Sequence, residues 1–186
     1  MHLTIKDLER VQTKLQDDNL DYQLELVEGN IIIMGPSDYT SDEIGTRLCT
    51  FLNIWVMPRK LGRVTGAAAG FRLPNENKDL RAPDVSFVSA ERLKHSPRAF
   101  AELVPDLIVE IKSKTDRIKP IQEKIQFFLS LGSKIGILID PDKETLTIYR
   151  PTGESTILVN NDILTIPELF PGWELPVTEL WPPEFE

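Results

Sequence analysis

Two charged residues lie in an apolar segment near the middle of the chain, where charged side chains are costly. Glu110 and Lys112 are separated by one residue in the run 105–113, which otherwise has the composition of a buried central strand. Alternate residues of a strand share a face, so Glu110 and Lys112 are predicted to point the same way as Ile108, opposite to the odd-numbered residues between them. Buried charges are expensive unless they are paired or used, which favours a functional role for this pair.

Asp84 supplies a second carboxylate at the start of another predicted strand, 83–88, just before a hydrophobic run. If the two strands are neighbours, Asp84 and Glu110 converge on one hard cation, and oxygen ligands with retained waters are what Mg²⁺ prefers. Such a cation lowers the pKa of a water molecule and neutralises charge that develops on phosphorus. Lys112 would orient or deprotonate that water, so the three residues together predict metal-dependent phosphodiester hydrolysis.

Hydrophobic periodicity and breaker residues predict helices and strands that alternate along a single domain of 186 residues. The predicted fold class is α/β (α+β), with a central mixed β-sheet flanked by helices and a core of about residues 20–150. The predicted helices are 4–18, 41–57 and 116–131, with short helical pieces from Ser89, at 97–103 and at 166–170. The predicted strands are 22–27, 31–34, 62–65, 69–73, 83–88, 106–112, 134–139 and 145–149, with one more in the C-terminal part and a polar loop at 74–80.

Composition excludes several classes of site. The chain has one cysteine and two histidines, so it has no internal disulfide, no zinc-ligand spacing and little material for Ser-His or Cys-His catalysis. Cys49 is predicted to be a core residue. No signal-peptide or membrane-spanning run is present, so a cytoplasmic protein is expected.

Charge is distributed unevenly along the chain. The net charge is −8, yet residues 57–124 hold 14 Lys and Arg against 9 Asp and Glu, a local charge of +5. A basic middle within acidic flanks fits a localised site for an anionic substrate, and it also fits a chance fluctuation of surface charge.

The ordered motifs resemble a known superfamily. Pro83-Asp84, then 25 intervening residues, then Glu110-Ile111-Lys112 on an apolar strand followed by a helix, resembles the PD-(D/E)XK restriction-endonuclease-like pattern. The chain is also similar to a bacterial family of proposed endonucleases with PD…ExK motifs. The matching stretches span roughly residues 20–150 and read YQLELVEGNIIIMGPS, GRVTGAAAGFRLP, RAPDVSFVSAERL, PDLIVEIKSKTDR and KIGILIDPDKETLTIYRP.

The resemblance implies a role for each matching residue. Asp84 and Glu110 would bind Mg²⁺ or Mn²⁺, and Lys112 would be the catalytic lysine. A further early carboxylate often joins such sites, with Glu25 as the first candidate and Glu43 as the second. Lys124, on the helix after the motif strand, would face a substrate phosphate. The resemblance further implies a restriction-endonuclease-like fold, a DNA substrate and a homodimer. The chain departs from the family pattern at Ser41, where many relatives carry a histidine.

Simpler interpretations stay open for each residue. Asp84 could cap a turn after a proline, Glu110 and Lys112 could be an ion pair at a sheet edge, and Glu25, Glu43 and Lys124 could be ordinary solvated charges. The overall negative charge also allows a catalytically silent binding or assembly module with the nuclease fold, and hydrolysis of a small nucleotide is a third hypothesis. The run 66–70 (GAAAG) lacks the lysine of a phosphate-binding loop and is predicted to be a turn.

Overall fold

The computed structural model describes residues 2–20 and 22–185, which form three α-helices, twelve strands and one 3-10 helix. The helices are α1 (Ile5–Asp17), α2 (Tyr39–Arg59) and α3 (Ile118–Ser130), and the 3-10 helix is Val177–Leu180. The strands are β1 (Gln23–Val27), β2 (Asn30–Met34), β3 (Gly62–Gly66), β4 (Phe71–Arg72), β5 (Leu80–Arg81), β6 (Val85–Ser89), β7 (Leu107–Ile111), β8 (Ile135–Asp140), β9 (Thr145–Tyr149), β10 (Ser155–Leu158), β11 (Ile163–Thr165) and β12 (Glu174–Pro176).

A mixed six-stranded sheet forms the centre of the molecule, in the order β10-β9-β8-β7-β6-β3. Among its described strands, β7 and β8 form the one parallel pair, and α3 joins them as the crossover helix that a parallel connection needs. A second sheet has the order β2-β1-β5-β4, and β11 pairs with β12 near the C-terminus. The predicted mixed sheet flanked by helices is therefore confirmed.

The two faces of the six-stranded sheet carry separate hydrophobic clusters. On one face α2 contributes Ile44, Leu48, Leu52 and Val56, each four residues apart, as one face of a helix requires. On the other face α3 packs Ile125 and Phe128 over Ile108 of β7 and Leu138 of β8. Both β7 and β8 are buried along their whole length, as expected for strands covered on both sides.

The last part of the chain completes the core on the α2 face. Phe170 packs edge-on against Phe87 of β6, with ring centroids 4.7 Å apart, and against Trp173 at 5.9 Å. Leu164, Ile166, Leu175 and Leu180 are buried in the same cluster. The strands that carry the predicted site are therefore held by residues far along the chain.

The hairpin of β1 and β2 is closed by a two-residue turn. Glu28 and Gly29 have φ values of 49° and 75°, the left-handed conformation that a type I′ turn requires at both positions. The N-terminal helix α1 packs on this hairpin through Leu8, and Asp7 caps it by accepting hydrogen bonds from Thr4 N (2.8 Å) and Thr4 Oγ1 (2.6 Å). Thr4 and Asp7 thus form a capping box at the start of α1.

Several short elements differ from prediction. The helical pieces from Ser89, at 97–103 and at 166–170 are wrong, because these segments form turns and, around Ala101, an isolated bridge to Phe71. The loop 74–80 ends in the short strand β5, which forms because the distant strand β1 and the preceding strand β4 lie on either side of it. Among the described residues no helix is long and apolar enough to cross a bilayer.

Candidate active site

The two predicted motif strands are direct neighbours. Val85 pairs with Val109 in antiparallel register, and one step further along this register Asp84 faces Glu110. The odd-numbered side chains of β7 join the core on the α2 face, whereas Ile108 belongs to the α3 face. The alternation predicted for Glu110 is confirmed, since its contacts are with α3.

Asp84 is partly buried and is tied to the end of β7. Its Oδ2 accepts a hydrogen bond of 2.7 Å from the backbone N–H of Ile111. Burial raises the pKa of Asp84, and this effect outweighs the hydrogen bond and the nearby Lys124 ammonium, which both lower it. Oδ1 has no protein partner within the described ranges and is free to bind another group.

Glu110 is the most perturbed carboxyl group of the site. Burial, together with the negative charges of Asp84 and Glu25, raises the pKa of Glu110 to about 8, although Lys124 opposes this shift. Its Oε1 lies 3.0 Å from Lys124 Nζ, but the contact lacks the alignment of a hydrogen bond, which leaves a buried oxygen without a directed partner. Such an atom has unused capacity for a cation.

Lys124 occupies the centre of the site. From the inner face of α3 its Nζ lies 3.0 Å from Glu110 Oε1 and 3.5 Å from Glu25 Oε1, and it donates a hydrogen bond of 3.1 Å to Ala82 O. Burial by itself lowers the pKa of Lys124, but the attraction of Glu110 and Glu25 outweighs it and the pKa is raised. Lys124 is therefore a protonated ammonium that balances a group of buried carboxyl groups.

Of the two early carboxylates, the structure brings Glu25 to the site. Glu25 is buried on β1, and its Oε1 accepts a hydrogen bond of 2.8 Å from the N–H of Ala82, two residues before Asp84. The side chain of Glu43, on α2, makes no hydrogen bond or ion pair with any described residue. The geometry thus supports the first candidate over the second.

Lys112 lies one residue past the end of β7 and turns away from the carboxylates. Its Nζ pairs with Asp142 in the turn between β8 and β9 and donates a hydrogen bond of 3.2 Å to Ser113 O. The hydrogen bond that Lys112 donates to Asp142 raises the pKa of Lys112. Ser41 links this backbone to α2, because its Oγ lies 2.9 Å from Asp38 Oδ2 and 3.2 Å from Lys112 O and can donate its hydroxyl hydrogen to either acceptor.

The side chains of the site have the chemical type that a divalent cation needs. Asp84 and Glu110 each offer a carboxylate oxygen without a directed partner, and Glu25 supplies a third carboxylate beside them. Hard oxygen donors of this kind suit Mg²⁺ or Mn²⁺. Across residues 2–20 and 22–185, no three Asp, Glu, His or Cys side chains are already drawn together as a ligand cluster. The residues fit the ion in chemical type, while Lys124 holds the position between them.

A long pocket opens beside Asp84 along the exposed side of α2. It has a volume of about 720 Å³ and is bordered by Asp84, Ile111, Ser41 and Gly45 at one end and by Met57 at the other. The absence of a side chain at Gly45 lets α2 lie close to the end of β7, since a Cβ at Gly45 would lie 3.3 Å from Ile111 Cδ1. The free side of Asp84 is therefore open to solvent and to a ligand.

The fold and this group of carboxyl groups define a protein of the PD-(D/E)XK restriction-endonuclease-like class. The model of the family described as "Uma2: Putative restriction endonuclease" matches residues 6–178. This match covers most of the sequence, and the chain belongs to the Uma2 family.

A solved structure has a similar fold. It is a crystal structure of "a putative nuclease belonging to DUF820 from Anabaena variabilis ATCC 29413", with a TM-score of 0.74 and 22% sequence identity over 88% of this chain and 94% of that one. At this identity the similarity supports the fold alone. No functionally curated protein shows significant similarity to the chain.

Proposed function

We propose that the chain is a metal-dependent endonuclease that hydrolyses phosphodiester bonds of DNA. The observation that carries the proposal is that Glu110 and Glu25 lie 3.0 Å and 3.5 Å from the buried ammonium of Lys124, with the Asp84 carboxyl near enough to interact with it electrostatically. A structural role alone gives no reason to place two buried carboxyl groups and the partly buried Asp84 around one cation, because their desolvation is costly. A site that must bind a divalent cation and a phosphate does give such a reason.

Asp84 and Glu110 would hold Mg²⁺ or Mn²⁺, and Glu25 would complete the anionic side of the site. The ion would supply charge neutralisation at the phosphate and a more acidic water. Asp84 is positioned by the N–H of Ile111, and Glu25 by the N–H of Ala82, so both carboxylates are oriented before any ligand arrives. Preorganised groups of this kind stabilise charge without further rearrangement.

Two lysines are candidates for the catalytic cation. Lys112 occupies the motif position, whereas Lys124 already lies against the carboxylates. The pKa values of Lys112 and Lys124 are both raised, so each stays protonated near neutral pH and acts as a hydrogen-bond donor and positive charge, not as a general base. We assign Lys124 to contact with the phosphate. We assign Lys112 to orienting the attacking water, once Lys112 is released from its ion pair with Asp142.

The test is cleavage of supercoiled, linear and single-stranded DNA with Mg²⁺ or Mn²⁺ against EDTA. We expect metal-dependent cutting by the wild type and its loss in Asp84→Asn, Lys112→Met and Lys124→Met. Lys119→Met is the matched control, because Lys119 lies on the same helix as Lys124 but is exposed and pairs only with Glu123. Activity of Asp84→Asn equal to that of the wild type would identify a contaminating nuclease and contradict the proposal.

A catalytically silent binding module is the second candidate, favoured by the position of Lys124 between the carboxylates. Isothermal calorimetry with Mn²⁺ separates the two. No cutting and no metal binding by the wild type would support the silent module. Metal binding that Asp84→Asn abolishes, without cutting of DNA, would keep the metal centre and reject DNA as the substrate. We also propose that the active form is a homodimer.

A further inference from the structure

Strand β2 is an exposed apolar edge. It pairs with β1 on one side and is the terminal strand of the four-stranded sheet on the other. Ile32, Ile33 and Met34 are 40%, 58% and 39% exposed, and the strand has no charged residue between Asn30 and Met34. Edge strands are usually protected by charges, prolines or bulges, because an open edge can pair with another strand. This edge has none of these protections.

We propose that β2 is the surface through which two copies of this chain pair, antiparallel to each other, about a two-fold axis at Ile32. This names the contact of the homodimer in the proposed function, but it does not depend on cleavage.

Hydrogen-bond geometry selects the register. The two-residue turn closes the pair Val27 and Asn30, so the hydrogen-bonded positions of β2 toward β1 are Asn30, Ile32 and Met34. Ile31 and Ile33 therefore direct their N–H and C=O groups outward, and no described residue accepts or donates a backbone hydrogen bond there. A two-fold axis at Ile32 places Ile31 of each copy opposite Ile33 of the other. The outward N–H and C=O groups of Ile31 and Ile33 in the two copies then form four hydrogen bonds.

Other edges of the molecule are less suited to a second copy. Strand β3 carries Arg63, whose guanidinium is bound to Leu93 O and Lys94 O, and β4 has two residues and is covered by the bridge to Ala101. Strand β10 exposes one large apolar side chain, Ile157, against three on β2. The chain carries a net charge of −8, so an uncharged strand is also where two copies approach with the least repulsion.

Pairing at Ile32 fixes the relation between the two sites. Glu25 is the cross-strand partner of Ile32, so Glu25, Ile32 and their counterparts in the second copy lie in one line across the joined sheet. Cross-strand spacings put the two Glu25 Cα atoms about 15 Å apart on a common face. This separation is comparable to the width of the major groove of duplex DNA, about 12 Å.

Cysteine cross-linking tests the register directly. In a Cys49→Ser background, Ile32→Cys places two thiols at a non-hydrogen-bonded pair with Cα atoms about 4.5 Å apart, within the range of about 4.4–6.8 Å for a disulfide. We expect oxidised glutathione to produce the disulfide-linked dimer of Ile32→Cys. The matched control, Asn30→Cys, should stay unlinked, because Asn30 faces Met34 of the second copy. Equal cross-linking of both variants, or none of Ile32→Cys, would overturn the register.

Analytical ultracentrifugation tests the interface without cysteines. Ile33→Pro removes an outward N–H and leaves the hydrogen bonds to β1 intact, whereas Ile33→Val keeps both. We expect a dimer for the wild type and Ile33→Val, and at least a roughly tenfold rise in the dimer dissociation constant for Ile33→Pro, with an unchanged circular dichroism spectrum. A monomeric wild type at about 100 μM would overturn the proposal even if the protein cleaves DNA. In turn, a dimer without cleavage would leave this inference standing and contradict only the proposed function.

Discussion

Replacing Glu110 by glutamine should stabilise the metal-free protein increasingly as the pH rises. Burial and the neighbouring Asp84 raise the pKa of Glu110 to about 8, whereas the group ionises near 4.5 in the unfolded chain. Between these pH values the unfolded state loses the proton and the folded state keeps it. The stability of the wild type therefore falls across this window, and a neutral glutamine of the same shape removes that loss.

The size of the effect follows from the two pKa values of Glu110. Linkage gives a stability gain for Glu110→Gln of about 1 kcal/mol at pH 5 and about 3 kcal/mol at pH 7. The gain approaches about 5 kcal/mol at pH 9, where the wild-type carboxylate is ionised in both states. The attraction of Lys124 for the ionised carboxylate is already contained in the pKa of Glu110, so it needs no separate correction.

Urea unfolding of wild type and Glu110→Gln in EDTA, at pH 5, 7 and 9, measures this difference. A difference in unfolding free energy that is the same at all three pH values, or a Glu110→Gln protein less stable than the wild type at pH 9, would contradict a buried Glu110 with a raised pKa. Added Mn²⁺ should stabilise the wild type more than the variant, since only the wild type keeps both proposed metal ligands.

Two further substitutions test the surroundings of the site. Asp142→Asn should lower the pKa of Lys112 and leave stability nearly unchanged, because Asp142 is largely exposed. Nuclease assays should show that this variant cleaves DNA as fast as the wild type or faster. A loss of cleavage equal to that of Lys112→Met would contradict the proposed release of Lys112 from Asp142. Gly136→Ala should destabilise the protein by about 1–3 kcal/mol in urea unfolding, because its Cβ would lie 2.4 Å from Ile125 Cγ2 beneath the helix of Lys124. Gly66→Ala, whose Cβ meets nothing within 4 Å, is the control, and an equal loss in both would reject the packing argument.

The sequence was sufficient to predict the motif strands because their signal is local. Alternation within 105–113 placed Glu110 on the face opposite the odd-numbered residues, and the apolar runs after Asp84 and before Glu110 identified buried strands. That these strands are neighbours was a conditional expectation, which the pairing of Val85 with Val109 confirms.

The direction of the long side chains depends on tertiary contacts and was not predictable in the same way. Lys112 lies past the last residue of β7, where strand alternation no longer determines orientation, and its partner Asp142 is 30 residues away. Lys124 was expected to face phosphate, but its central position among the carboxylates depends on Glu25, which reaches the site from another sheet. In the sequence, the position of Lys124 beside the apolar face of the helix after the motif strand was the one sign that it belongs to the site.

The packing of residues 164–180 has a consequence for how the protein folds during synthesis. Leu164, Phe170, Trp173 and Leu180 close the cluster that supports β6 and β7, so these strands lack one side of their core until those residues have left the ribosome. Translation proceeds at about 5–20 residues per second, so several seconds pass between the synthesis of β7 and that of the residues that complete its core. Nascent chains that end before Leu164 should therefore expose the α2 face of the six-stranded sheet to chaperones. The candidate nuclease site becomes ordered late in translation.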